Sequence, residues 1–117
     1  MRGLYFTTDL MYSSRVMSVA QAVGMPLETA MSPAAFVEQL SHGDVTLAIL
    51  DLTAPECDPA VLVPQVLAAA PQAQIVAYGP HVDHERLAAA LAAGCHRVFS
   101  RGQFVQELAA ILAESLR

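Results

Sequence analysis

Apolar residues come along this chain in short blocks that alternate between two rhythms. Leu4-Tyr5-Phe6 is a compact apolar run, a short strand closed by Thr7-Thr8-Asp9. From Ser13 to Val23 the positions Val16, Val19, Ala20 and Val23 recur at helical spacing, and Gly24 is a natural residue for leaving the helix. Pro26 to Ala30 predicts a weak second strand. Ser32-Pro33 offers a capping hydroxyl and a proline in the first helical position, opening a helix with Ala35, Phe36 and Leu40 that stops at His42-Gly43. Val45 to Leu52 is almost continuously apolar, as a parallel strand covered on both faces must be. Asp58-Pro59 repeats the cap-and-proline signal for a helix reaching about Ala70, in which Pro64 predicts a kink or an early end. Gln74 to Tyr78 is a fourth strand, closed by Gly79-Pro80. Asp83 caps an alanine-rich helix over Glu85 to Ala93 that ends at Gly94. His96 to Ser100 is a fifth strand, and Gln103 to Leu116 a last amphipathic helix.

Strands and helices in strict alternation predict an α/β fold. The expectation is a single domain over residues 1–117: a (βα)5 flavodoxin-like three-layer sandwich with a parallel sheet in the order 2-1-3-4-5. In such a sheet, ligand chemistry gathers at the carboxyl ends of the strands, beside the switch point between the first and third. The loops that matter then begin at Thr7-Thr8-Asp9, Asp51, Gly79-Pro80 and Arg101.

Composition removes several alternatives. A chain that is 55% hydrophobic and 15% charged is not disordered. No apolar stretch approaches the ~20 residues of a membrane span. The N-terminus lacks the apolar segment of a signal peptide, which makes the cytoplasm the default. Six basic residues face eleven acidic ones, a formal net charge of −5, so the basic footprint that nucleic acid needs is missing. All six are arginines, and a chain without lysine has no Schiff-base chemistry and no P-loop phosphate grip. Cys57 and Cys95 have no metal or redox spacing and read as free thiols. Glu56 and Asp58 make Cys57 a poor nucleophile, and no sequence feature brings His96 to it as a base. His81 and His84 lack a third ligand and read as solvated side chains.

Ile49-Leu50-Asp51-Leu52-Thr53-Ala54-Pro55 resembles the phosphoacceptor stretch of response-regulator receiver (CheY-like) domains, including the proline four residues after the Asp. Asp58 matches a recurrent acidic position, and Leu87 to Gly94 resembles the end of the family's fourth helix. The resemblance covers essentially the whole chain. It implies a strand-three Asp that accepts a phosphoryl group, with an acid pair after strand one that helps it hold Mg2+. It further implies a Lys that offsets charge, a Thr or Ser after strand four, and a switch aromatic on strand five.

Measured from Gly24 and Gly94, this chain departs from that set at nearly every place. The acid pair falls on Thr7 and Thr8, with Asp9 one position late. The hydroxyl position falls on Gly79, the Lys on Arg101, and the switch aromatic on Val98. Arg keeps the charge as a planar fork, not a compact ammonium. Asp51 alone is retained. The expectation is therefore a degenerate pseudo-receiver: a non-enzymatic signalling module without the full metal and phosphorylation site. It binds no cofactor and acts through protein contacts. An Arg101–Asp51 ion pair is one way such a site would lock. The alternative is a working receiver that takes phosphoryl from a histidine kinase on Asp51, with Asp9 and Asp51 holding Mg2+. A flavin-binding domain is disfavoured, because the loop after strand one has no glycine.

The chain runs from Met1 to a helical turn around Leu116, so either the expected partner, a histidine kinase or an effector protein, acts in trans, or the sequence is a domain excised from a longer protein. A homodimer through the fourth helix, fifth strand and fifth helix is a further expectation, with Leu87, Leu91, Phe104, Leu108 and Leu112 as candidate contacts. Neither nucleic acid nor membrane is expected as a partner.

Overall fold

In the computed structural model, which describes residues 1–117, strands and helices alternate without exception. They are β1 (Arg2–Phe6), α1 (Leu10–Val23), β2 (Leu27–Ala30), α2 (Pro33–Ser41), β3 (Val45–Asp51), α3 (Pro59–Ala69), β4 (Gln74–Gly79), α4 (His84–Ala93), β5 (Arg97–Ser100) and α5 (Arg101–Glu114). The strands form one sheet in the order β2-β1-β3-β4-β5, and every neighbouring pair is parallel. This is the flavodoxin-like architecture that the alternation predicts. No helix is long and apolar enough to cross a membrane.

Local chemistry sets the helix starts. Asp9, Ser32, Asp58, Asp83 and Ser100 each precede a helix, and each side chain accepts a backbone N–H from the first turn. Such a cap satisfies one of the donors that a helix start leaves open. Ser100 and Gln103 close a reciprocal capping box on α5.

The cap at Asp9 corrects one boundary. Helical periodicity places the first helix from Ser13, but α1 starts at Leu10, because the Asp9 carboxylate takes the Tyr12 N–H at 2.9 Å. Leu10 and Met11 are apolar yet exposed, so they break the pattern that periodicity follows. The expected effect of Pro64 does not shorten α3, which runs from Pro59 to Ala69. Pro64 lies on the exposed side of the helix. There the carbonyl it cannot pair is open to water.

Because side chains alternate across a strand, the sheet divides the core in two. Leu4, Phe6, Ala48, Leu50, Ile75 and Ala77 pack under α2, α3 and α4. Tyr5, Leu47, Ile49, Val76 and Tyr78 pack under α1 and α5, where Phe104, Leu108, Ile111 and Leu112 meet them. Phe104, Leu108 and Leu112 are therefore core residues and not surface contacts. Of the leucines expected at a dimer face, Leu91 is 57% exposed and Leu87 half-buried, with Val105 of α5 a further exposed apolar residue.

Two glycines give opposite predictions. Gly94 leaves α4 at φ 116°, and a Cβ there would stand 3.1 Å from Val63 Cγ1. Gly94→Ala is expected to cost more than about 1 kcal/mol from backbone strain alone. Gly102 lies in the first turn of α5 with nothing within 4 Å of a built Cβ. Gly102→Ala is expected to stabilise by about 0.5 kcal/mol. Urea unfolding of the two variants beside the wild type checks both signs.

Candidate functional site

The connections from β1 and β3 pass to opposite faces of the sheet, leaving a crevice at its carboxyl edge. Asp51 is the last residue of β3 and has no exposed surface. Its Oδ2 accepts from Thr7 Oγ1 at 2.7 Å. Its Oδ1 accepts from the Thr53 backbone N–H at 3.0 Å and from Thr53 Oγ1 at 2.6 Å. A buried charge is tolerated only where such donors replace water. Thr7 is 2% exposed and in turn accepts from the Asp9 N–H at 3.1 Å.

The structure sorts the remaining candidate residues. Thr8 is exposed and takes no part, since the alternation that turns Thr7 inward turns Thr8 out. Asp9 is committed to capping α1 through Oδ1. A Cβ at Gly79 would meet Leu52 and Leu87 in ordinary contact, with no hydroxyl in their place. Val98 packs against the core under α2, α3 and α4. Arg101 does come to the site, but it makes no ion pair with Asp51. One of its terminal nitrogens donates to Thr53 Oγ1 at 3.5 Å, and the guanidinium covers the Tyr12 ring at 4.9 Å. Its buried Nε has no hydrogen-bond partner.

Three further features escape sequence reasoning. The Tyr5 and Tyr78 hydroxyls meet at 2.5 Å in the core under α1 and α5. The only sequence signal for this pair is a phenol within the apolar run of each of two strands. Arg86 reaches from α4 to donate to the Leu52 carbonyl at 2.7 Å, and also pairs with Asp83. His96 Nδ1 accepts from the Ile75 N–H at 2.9 Å, which commits that nitrogen as an acceptor and not as a base.

Electrostatics favours neutral acids around Asp51. Burial raises Tyr5, Tyr12 and Tyr78 above the ordinary phenol value, and the nearby Asp51 carboxylate adds to each shift. Burial pushes the Cys57 thiol up to about 12, with the Asp51 charge contributing, and the Cys95 thiol up to about 11. Neither thiol is a nucleophile at neutral pH. No group of three His, Cys, Asp or Glu side chains converges anywhere in the protein. A hard divalent cation needs oxygen ligands with net negative charge. The Asp51 carboxylate already receives three protein donors, and Asp9, the other carboxylate that the sequence offers, caps α1 through Oδ1.

No protein-family profile and no curated protein sequence matches the chain. Solved structures do. A two-component response regulator from Clostridium difficile superposes with a TM-score of 0.84 at 14% identity, over 100% of this chain and 96% of that one. The signal receiver domain of an HD domain-containing protein from Pseudomonas fluorescens Pf-5 gives 0.83 at 20% identity, over 98% and 85%. The beryllofluoride-activated NtrC4 receiver domain dimer gives 0.79 at 14%, over 97% and 98%. At these identities the likeness carries the receiver fold and not its chemistry.

Two measurements check the site. Thr7→Val removes a donor from a buried carboxylate and is expected to cost about 2 kcal/mol, against less than about 0.5 kcal/mol for the exposed Thr8→Val. Urea midpoints give both. The buried thiols set an alkaline limit. Each stays protonated in the fold after the unfolded chain has ionised, so stability is intact below pH 9 and falls as pH rises beyond it. The expected slope is about 1.4 kcal/mol per pH unit for each thiol, up to its folded value. Replacing Cys95 by Ala is expected to remove about 1.4 kcal/mol per pH unit from the slope that urea unfolding shows between pH 9 and 11, leaving the Cys57 contribution.

Proposed function

We propose that this chain is a non-enzymatic signalling module on the receiver fold, working through protein–protein contacts without metal-dependent phosphorylation of Asp51. The observation that carries this reading is the Asp51 carboxylate itself, fully buried and held by Thr7 and Thr53. A phosphoryl group reaching Asp51 has to displace those donors before it finds an oxygen. It also needs cationic charge, because two anions approach each other at low dielectric. Arg101, the cation that the resemblance places at this site, is drawn to Thr53 and the Tyr12 ring. A neutral Thr7 stands where a second carboxylate would help hold a metal, and Asp9 is occupied as a helix cap.

Partners meet the helices. Leu91 on α4 and Val105 on α5 are exposed apolar positions flanking β5, available to an effector protein, a histidine kinase or a second copy of the chain. The overall negative charge argues for protein over nucleic acid.

Titration of 15N-labelled protein with Mg2+ and beryllofluoride tests the reading. The expected outcome is a folded spectrum with no saturable shifts at Asp51, Gly79 or Arg101. Saturable shifts there would make this a phosphorylatable receiver with Asp51 as the acceptor and overturn the proposal.

A further inference from the structure

A surface helix ordinarily turns a polar stripe to water, and a helix that is apolar all round is ordinarily buried. α3 is apolar nearly all round, yet one side of it is open. It reads Pro-Ala-Val-Leu-Val-Pro-Gln-Val-Leu-Ala-Ala and is the one helix of the five without a charged residue. Leu62, Val63 and Val66 are buried in the core. On the other side Val61 is 53% exposed, and Pro64, Leu67 and Ala68 are exposed with it. Gln65 is the only polar side chain, and its Nε2 donates to the Val61 carbonyl of the same helix at 3.2 Å.

α2 continues this uncharged surface. Ala34, Val37 and Ser41 are exposed and stand three and four residues apart, which makes them one stripe of a helix. Glu38, the only charge on α2, lies off that stripe. Between the two helices runs a groove of about 350 Å3, lined by Val37, Leu40, Ser41, Gln65, Ala68 and Ala69.

We infer that two copies of this chain meet on the α2–α3 face as a two-fold pair, with α3 antiparallel to α3. Charge selects the occupant. Each copy has a formal net charge of −5, so copies repel where their charged surfaces meet. A face without charge matches itself, because the two-fold axis sets no like charges opposite one another. A basic partner gains nothing there and finds its carboxylates elsewhere, at Glu56, Asp58, Asp83 and Glu85. Spacing selects the register. Val61 and Ala68 are seven residues apart, about two turns, and share one line along the helix. An axis between Pro64 and Gln65 sets Val61 of each copy against Ala68 of the other, where the small side chain leaves the groove open to it. Pro64, with the carbonyl it leaves unpaired, stays at the wet rim.

The patch sets the strength. α3 has 11 residues, about 16 Å of helix, and together with α2 it falls short of the ~800 Å2 per partner of a stable dimer. The pair is therefore reversible, with a dissociation constant on the order of 100 μM. It uses neither Asp51 nor the exposed Leu91 and Val105, so it stands whether or not Asp51 accepts phosphoryl.

Sedimentation equilibrium of the full chain from about 10 μM to about 1 mM tests the pairing. The wild type is expected to show a monomer–dimer equilibrium. Val61→Glu and Ala68→Arg are each expected to weaken it at least about tenfold, since each buries an unpaired charge. Combining the two is expected to restore association, because each new Glu then faces the new Arg of the other copy. Leu91→Glu on α4 is expected to associate as the wild type does. A wild type still monomeric at about 1 mM overturns the inference, as does a double variant no better than the single ones, or association lost through Leu91→Glu alone. Dilution of 15N-labelled wild type checks the face without any variant. Amide shifts at Val37, Val61 and Ala68 support the pairing, and shifts that are absent or confined to α4, β5 and α5 overturn it.

Discussion

A carboxylate without contact with water has to find its hydrogen-bond donors inside the protein. Asp51 is such a group, and the carboxyl edge of the sheet is arranged around it. The last residues of β1 and β3 have to stay in register so that Thr7 reaches one oxygen. The turn after β3 has to bring the backbone and hydroxyl of Thr53 to the other. Both requirements fall on segments that are also the mouth of the crevice. The groups that stabilise the acid are thus the groups that stand at the mouth of the site.

Around that acid the sheet keeps two different interiors. Under α2, α3 and α4 the core is aliphatic apart from Phe6 and Phe36. Under α1 and α5 it is aromatic and carries the buried phenols of Tyr5 and Tyr78. A purely apolar replacement at those positions would remove two polar groups from the interior, and the shared hydrogen bond is what makes their burial tolerable. The polarity of the core is therefore concentrated on the side of Asp51 that leads to α5.

Much of this was readable from the sequence for identifiable reasons. The continuous apolar run into Asp51, the Asp and Ser helix caps, and the glycines at 24 and 94 are local signals that give the number and type of the elements, while the strand order came from the fold that five alternating units favour. Distances from those glycines also located Thr7, Gly79, Val98 and Arg101. Parity was harder. That Thr7 turns inward and Thr8 outward depends on the pleat, and that Tyr5 meets Tyr78 depends on register across three strands. The preference of Arg101 for Tyr12 and Thr53 over Asp51 is a choice among neighbours supplied by three different elements. The leucines of α5 illustrate the same limit, since one apolar stripe serves equally for a core or an interface until the sheet beneath it is seen.

The hydrogen bond from Arg86 to the Leu52 carbonyl ties α4 to the residue that follows Asp51. Because the guanidinium is half exposed, the tie contributes on the order of 1 kcal/mol. Any arrangement in which α4 has swung away from the loop is then about fivefold rarer than it would be without the arginine. The face of α4 is to that extent held in one arrangement before anything binds, which lowers the conformational cost of docking on that side.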